Sequence, residues 1–143
     1  EMSKSNAFEN DLLELIFNAT AIANLADNAA TSPLTNLYVS LHTADPGEAG
    51  NQTTNECAYT SYARVAVART SGGWVVTDNS VSPAADITFA EATGGTETAT
   101  HAAIGTDSTG TGKILYSGAI SPNINIVTGV TPRIGAGSTI TEE

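Results

Sequence analysis

The chain has 143 residues, 41% hydrophobic and only 14% charged, with fifteen acids against five bases for a formal net charge of −10. That length suits a single domain with a core large enough to stand without staples. So acidic a surface repels phosphate backbones and anionic lipid, so neither nucleic acid nor a membrane is an expected partner.

The first element is a helix. From Asn6, apolar residues recur at steps of three and four: Phe8, Leu12, Leu15, Ile16, Ala19, Ile22 and Ala23. Asn6 is placed to cap the first turn, and Glu9, three residues on, to reach back to the cap. The helix is expected over about 7–25. Its stripe of Phe8, Leu12, Leu15 and Ile16 is the candidate packing or interface face, against a sheet or a second subunit.

A loop of small residues around Pro33 follows over 26–36, and everything after it reads as β. In 37–42, Leu37, Val39 and Leu41 alternate with Tyr38, Ser40 and His42. A long polar connection, 43–61, holds the Asp45-Pro46-Gly47 turn. Further strands are expected over 64–69, 74–77, a short run ending before Pro83, 87–89, 96–105, 113–119, 123–127, 131–134 and 138–141. Gly and Asn turns separate most of them. Many short strands at this spacing predict one mainly β domain over 1–143. Its expected architecture is an antiparallel β-sandwich, jelly-roll-like or immunoglobulin-like, with one N-terminal helix. Val65, Val67, Trp74, Ile87, Phe89, Ile104 and Leu115 are the expected core.

Candidate chemistry is sparse. Ser40, His42 and Asp45 stand close together, as hydrolase residues would. On one strand face, however, the Ser40 and His42 Cβ atoms lie roughly 7 Å apart, and no G-x-S-x-G elbow surrounds Ser40. The simpler reading is a turn after a strand, with His42 on a partly exposed sheet face. His101 reads as a hydrogen-bonded sheet histidine, since two histidines alone do not make a metal site. Cys57, the only cysteine, forms neither an internal disulfide nor a thiolate zinc centre. The run Asp107–Lys113, DSTGTGK, fails as a phosphate loop. It lacks the first glycine and the Ser or Thr after the lysine, and a strand follows it. No catalytic, cofactor-binding or metal-binding residue is therefore expected, and no enzyme activity. No basic segment leads into an apolar run, so no signal peptide is expected. Synthesis in a reducing compartment fits the lone cysteine.

The stretches FENDLLELIFN, LYVSLHTADPGEAG, SYARVAV, ADITFAEATGG, THAAIGT, GKILYSGAIS and IGAGSTITEE, taken together, resemble small structural proteins of tailed-phage virions. Related sequences often carry a tail fibre label, and some β-sandwich proteins of this size are capsid cement or decoration proteins. The resemblance implies a protein of the virion's outer capsid surface. It would bridge major capsid subunits as a homo-oligomer, a trimer, with no cofactor. On this reading the polar connection supplies the partner contacts, through Asp45, Glu48, Asn51, Asn55 and Glu56. The alternative is a tail or tail-fibre component for host attachment, with Tyr38, Tyr59, Tyr62 and Trp74 as a receptor surface. The simpler role of those aromatics is packing.

Overall fold

A computed structural model describes residues 2–29 and 32–143. Ala30 and Thr31 of the expected 26–36 loop lie outside the described residues. The chain is mainly β, with antiparallel sheets and one N-terminal helix, α1 (Asn6–Asn18). The strands are β1 (Asn36–His42), β2 (Val65–Ala68), β3 (Trp74–Thr77), β4 (Ser80–Pro83), β5 (Ile87–Thr88), β6 (Glu97–Gly105), β7 (Ile114–Ile126), β8 (Arg133–Ile134) and β9 (Ile140–Thr141). The strand order, which the sequence leaves open, is β2-β1-β6-β7, β3-β4-β9 and β5-β8. By compactness the residues fall into two units. One comprises Glu1–Asn36, Val67–Asp86 and Gly135–Glu143; the other comprises Leu37–Ala66 and Ile87–Ile134.

In the first unit α1 packs on β3 and β4. The helix begins one residue earlier than its pattern suggests. Ser5 is the N-cap, in extended geometry, and its Oγ accepts from Phe8 N at 3.3 Å. It ends at Asn18, well short of the expected residue 25. Ala19 takes the left-handed conformation at φ 55°. Arg69 then supplies the donors that another turn would have supplied. Its Nε donates to Ile16 O at 2.8 Å and its Nη2 to Leu15 O at 2.7 Å. Nη1 of the same side chain holds Leu34 O at 2.6 Å, so one guanidinium ties the helix end to the following loop. Burial pushes the Arg69 pKa down. Beyond the cap, Ile22 and Ala26 form an isolated bridge instead of a further helical turn.

The buried helix face is also rotated from the expected one. Leu13 and Phe17 are fully buried and Glu9 is nearly so, whereas Phe8 is exposed and Leu12, Leu15 and Ile16 are half-buried. The ladder 9-13-17 has a carboxylate as its first rung, so a count of apolar side chains passes over it. Phe17 meets Trp74 edge-on, ring centroids 4.9 Å apart and planes at 65°. The indole Nε1 is buried with no hydrogen-bond partner among the described residues.

The second unit is built on β1, β6 and β7. Val39 lies opposite Ile104 and His42 opposite His101. Register shifts between Ala99 and His101, and between Ile104 and Gly105, break the β6–β7 ladder. The two strands expected at 113–119 and 123–127 are one, β7. Pro122 sits inside it, a position open to proline because β7 is the sheet's edge. Of the expected core residues, Trp74, Ile87, Phe89 and Ile104 are buried, while Val65, Val67 and Leu115 are only half-buried.

Candidate functional site

The polar connection after β1 is not a loose loop. It folds back over the strand it leaves: Thr43 N donates to Asn55 O and Cys57 N to Leu41 O, both at 2.8 Å. That return covers the β1 face expected to be partly open, and Ser40 and His42 are both 0% exposed. The two side chains, a pair that a regular strand does not present well, lean together and are hydrogen-bonded, Ser40 Oγ to His42 Nε2 at 2.8 Å. His42 Nδ1 lies 2.8 Å from Thr54 O. A carbonyl only accepts, so Nδ1 carries the proton and Nε2 accepts from the Ser40 hydroxyl.

This gives a hydrolase triad's first two members with a backbone carbonyl in the acid's place. A neutral carbonyl orients the ring but offers no charge to an imidazolium. Asp45, the acid suggested by spacing, faces away, its Oδ1 accepting from Gly47 N at 2.8 Å in its own turn. The pair is sealed by the returning chain, so it presents no nucleophile to solvent. His101 stands across from His42 and is hydrogen-bonded to Thr100 Oγ1 at 2.8 Å. Both His42 nitrogens are already occupied. Among the described residues no group of three or more His, Cys, Asp or Glu is placed to hold a metal ion.

Burial, the largest influence, pulls the His42 pKa below its ordinary 6.5. The unfolded chain therefore takes up the proton first. The stability contributed by neutral His42 is complete above about pH 6.5 and is lost as pH falls toward the folded pKa. Unfolding free energy should accordingly drop as the pH falls below about 6.5, and His42→Gln should flatten that slope. Urea titrations at closely spaced pH values read the difference; equal slopes in both proteins would reject it.

Beside this pair lies a clamp joining two loops. Arg64 donates to Glu56 through Nε and Nη2, at 2.8 and 2.9 Å, a two-pronged ion pair. The Tyr62 hydroxyl donates to Glu56 Oε2 at 2.7 Å and accepts from Leu41 N at 3.2 Å. Burial, then the bond to Glu56, drives the Tyr62 pKa far up. The remaining Arg64 donors reach the connection between β6 and β7, at Asp107 O (2.9 Å) and Gly110 O (2.6 Å). Gln52, fully buried, pairs with the Asp107 backbone in both directions, at 3.0 and 3.1 Å. A Cβ at Gly105 or Gly112 would collide with the Gln52 side chain, so the amide fits only between two glycines. Further along, Glu97 Oε1 accepts from Ala58 N and Tyr59 N, both at 2.7 Å.

The consequence is a pre-organised surface rather than a cleft. Asp45, Glu48 and Asn55 are exposed on it, and Asn55 Nδ2 donates to Asp45 O at 3.1 Å across the loop. Asn51 is half-buried and spends its Oδ1 on Thr53, while Glu56 turns inward to Arg64. Gln52, Tyr62, Arg64 and Asp107 carry the clamp. No spacing in the sequence marks them, because their partners are up to 55 residues away. Of the aromatics considered for a receptor surface, Trp74 and Tyr59 are buried and Tyr38 and Tyr62 half-buried. Tyr62 stacks on Phe89 at 6.3 Å and meets Tyr59 edge-on at 5.4 Å.

The family model of the Podophage GP4 fiber I protein gp80 matches residues 3–142. No curated protein matches the chain. A match over nearly the whole length places the chain in that family of phage virion structural proteins.

Proposed function

We propose that this member of the fiber I family is a non-enzymatic component of the phage tail fibre apparatus, acting in host attachment as a homo-oligomer. The observation that carries the reading is the family match over residues 3–142, whose described protein is a fiber. It favours the tail over the capsid exterior and weighs against the major capsid protein as the partner.

The geometry of the loops supports an adhesive role. A surface that holds its shape before contact loses less conformational entropy on binding. The Arg64–Glu56 clamp and Gln52 hold the polar connection and the loop after β6 in that way. Asp45, Glu48 and Asn55 are exposed polar groups of that surface. The sealed Ser40–His42 pair acts as a strut beneath the loops rather than as a nucleophile.

Labelling the chain on intact virions and counting copies tests the location. A few copies confined to the tail, together with binding of purified protein to host envelopes, are the expected results. Many copies spread over the shell would return the protein to the capsid. Ester hydrolysis that disappears in Ser40→Ala would overturn the non-enzymatic reading.

A further inference from the structure

His42 fastens β1 to the chain that returns over it. Its Nδ1–H donates to Thr54 O at 2.8 Å, and its main chain bridges Glu56. Next to it, Thr43 reaches Asn55 O with its backbone N–H at 2.8 Å and its hydroxyl at 3.2 Å. Within the sheet, the cross-strand neighbour of His42 is His101. The neutral imidazole is fully engaged, donating at Nδ1 and accepting the Ser40 hydroxyl at Nε2. A second ring proton turns Nε2 into a donor. The Ser40 proton then loses the nitrogen that received it, at a site closed to water. Burial is the chief obstacle to a charge on the ring, and Arg64 and His101 add to it. The Thr54 carbonyl and Glu56 favour the charge, but the Glu56 carboxylate is already held by Arg64 and Tyr62. Cys57 and Tyr62, which the returning chain sets against Leu41, are kept uncharged by burial.

We propose that His42 is an acid-sensitive latch: a proton added to its ring loosens residues 43–57 from β1, so that the polar surface loses its fixed shape while the sheet stays folded. What hides the ring is the returning chain. Lifting that segment hydrates the imidazolium and leaves the five residue pairs of β1 with β6 intact. Loops held by few bonds open at lower free energy than core strands. At neutral pH the Glu56–Arg64 clamp and Gln52 hold the segment down. In acid the poorly balanced charge on His42 works against them. The lifted segment leaves His42 with an ordinary pKa of about 6.5. The open fraction should therefore grow as pH falls below that value, by up to about tenfold per pH unit, until the closed form also takes the proton.

The latch rests on the adhesive role proposed above for these loops, but its test needs neither phage nor host. Amide hydrogen exchange of the purified full-length protein is followed by NMR from about pH 8 to about pH 5, each rate divided by its intrinsic value. The Thr43 and Cys57 amides, which bond the returning chain to itself and to β1, report its opening. Their protection should fall by up to about tenfold per pH unit below about pH 6.5. It should also be weaker than that of the amides joining β1 to β6 at every pH, and nearly insensitive to low urea, because a local opening exposes little surface. The acid response should vanish in His42→Gln and persist in His101→Gln. If His42→Gln fails to fold, persistence in His101→Gln still decides, since these are the only two histidines. Protection unchanged down to about pH 5, loop amides that share the protection and urea dependence of the β1–β6 amides, or a response that survives His42→Gln would each overturn the latch. Envelope binding that weakens in acid and returns on neutralisation would carry the latch into adhesion. No envelope binding at any pH would remove the host-attachment reading and leave the exchange result standing.

Discussion

Arg64→Ala should lower the unfolding free energy by about 3–5 kcal/mol, the usual consequence of removing one partner from a buried ion pair. The Arg64 side chain is 4% exposed and that of Glu56 13%, so water cannot readily replace what is lost. The substitution strands the Glu56 carboxylate with Tyr62 as its remaining side-chain donor. It also leaves the carbonyls of Asp107 and Gly110 without the guanidinium. A domain of this kind has a net stability of only about 5–15 kcal/mol, so a large share would go. Arg64→Lys keeps the charge but not the two-pronged geometry and should recover only part of it. Replacing both partners, Glu56→Leu with Arg64→Met, should be milder than Arg64→Ala, because no charge is left stranded. Urea unfolding followed by far-ultraviolet circular dichroism reads all three. An Arg64→Ala protein within about 0.5 kcal/mol of wild type, the range of ordinary surface substitutions, would show that the loops are not clamped.

Phe17→Ala should be similarly severe, at about 3–5 kcal/mol, through lost burial and the cavity left against Trp74. Trp74 is the only tryptophan, so its fluorescence reports on the packing of α1 against β3 and on nothing else. The comparison is Leu12→Ala on the same helix. Leu12 is half-buried and flanks the 9-13-17 face, so its truncation should cost well under half as much. Equal losses at the two positions would contradict the rotated helix face. A red-shifted native emission in Phe17→Ala would mark water entering beside the indole.

These two experiments probe what was hardest to read in the sequence. The elements themselves were legible: an amphipathic helix after a polar cap, then runs of alternating residues separated by Gly, Pro and Asn. Asn36–His42 and Trp74–Thr77 lie within a residue of where their alternation puts them. The helix end was not legible, because the residue that terminates it, Arg69, is more than fifty positions away. Pro122 misled in a different way. It punctuates most strands, but an edge strand tolerates it, and edge status depends on which strand lies alongside.

For the candidate site, the exposed loop residues Asp45, Glu48 and Asn55 follow from local composition, since a run of turn formers and acids stays in water. The clamp does not follow. Glu56 looks like one more surface acid until Arg64 and Tyr62 close on it, and Gln52 is ordinary until two glycines make room for it.

By itself, then, the sequence determined the β-rich class, the N-terminal helix, the positions of most strands and an acidic exterior. Each depends on neighbours within a few residues: side-chain period, turn chemistry and summed charge. Only the tertiary structure decided the strand order, the helix face, the burial of Ser40 and His42, and the ion pair that holds the loops. Those depend on groups distant in the chain meeting out of water, where an unpaired donor or charge is costly and every partner must therefore be found.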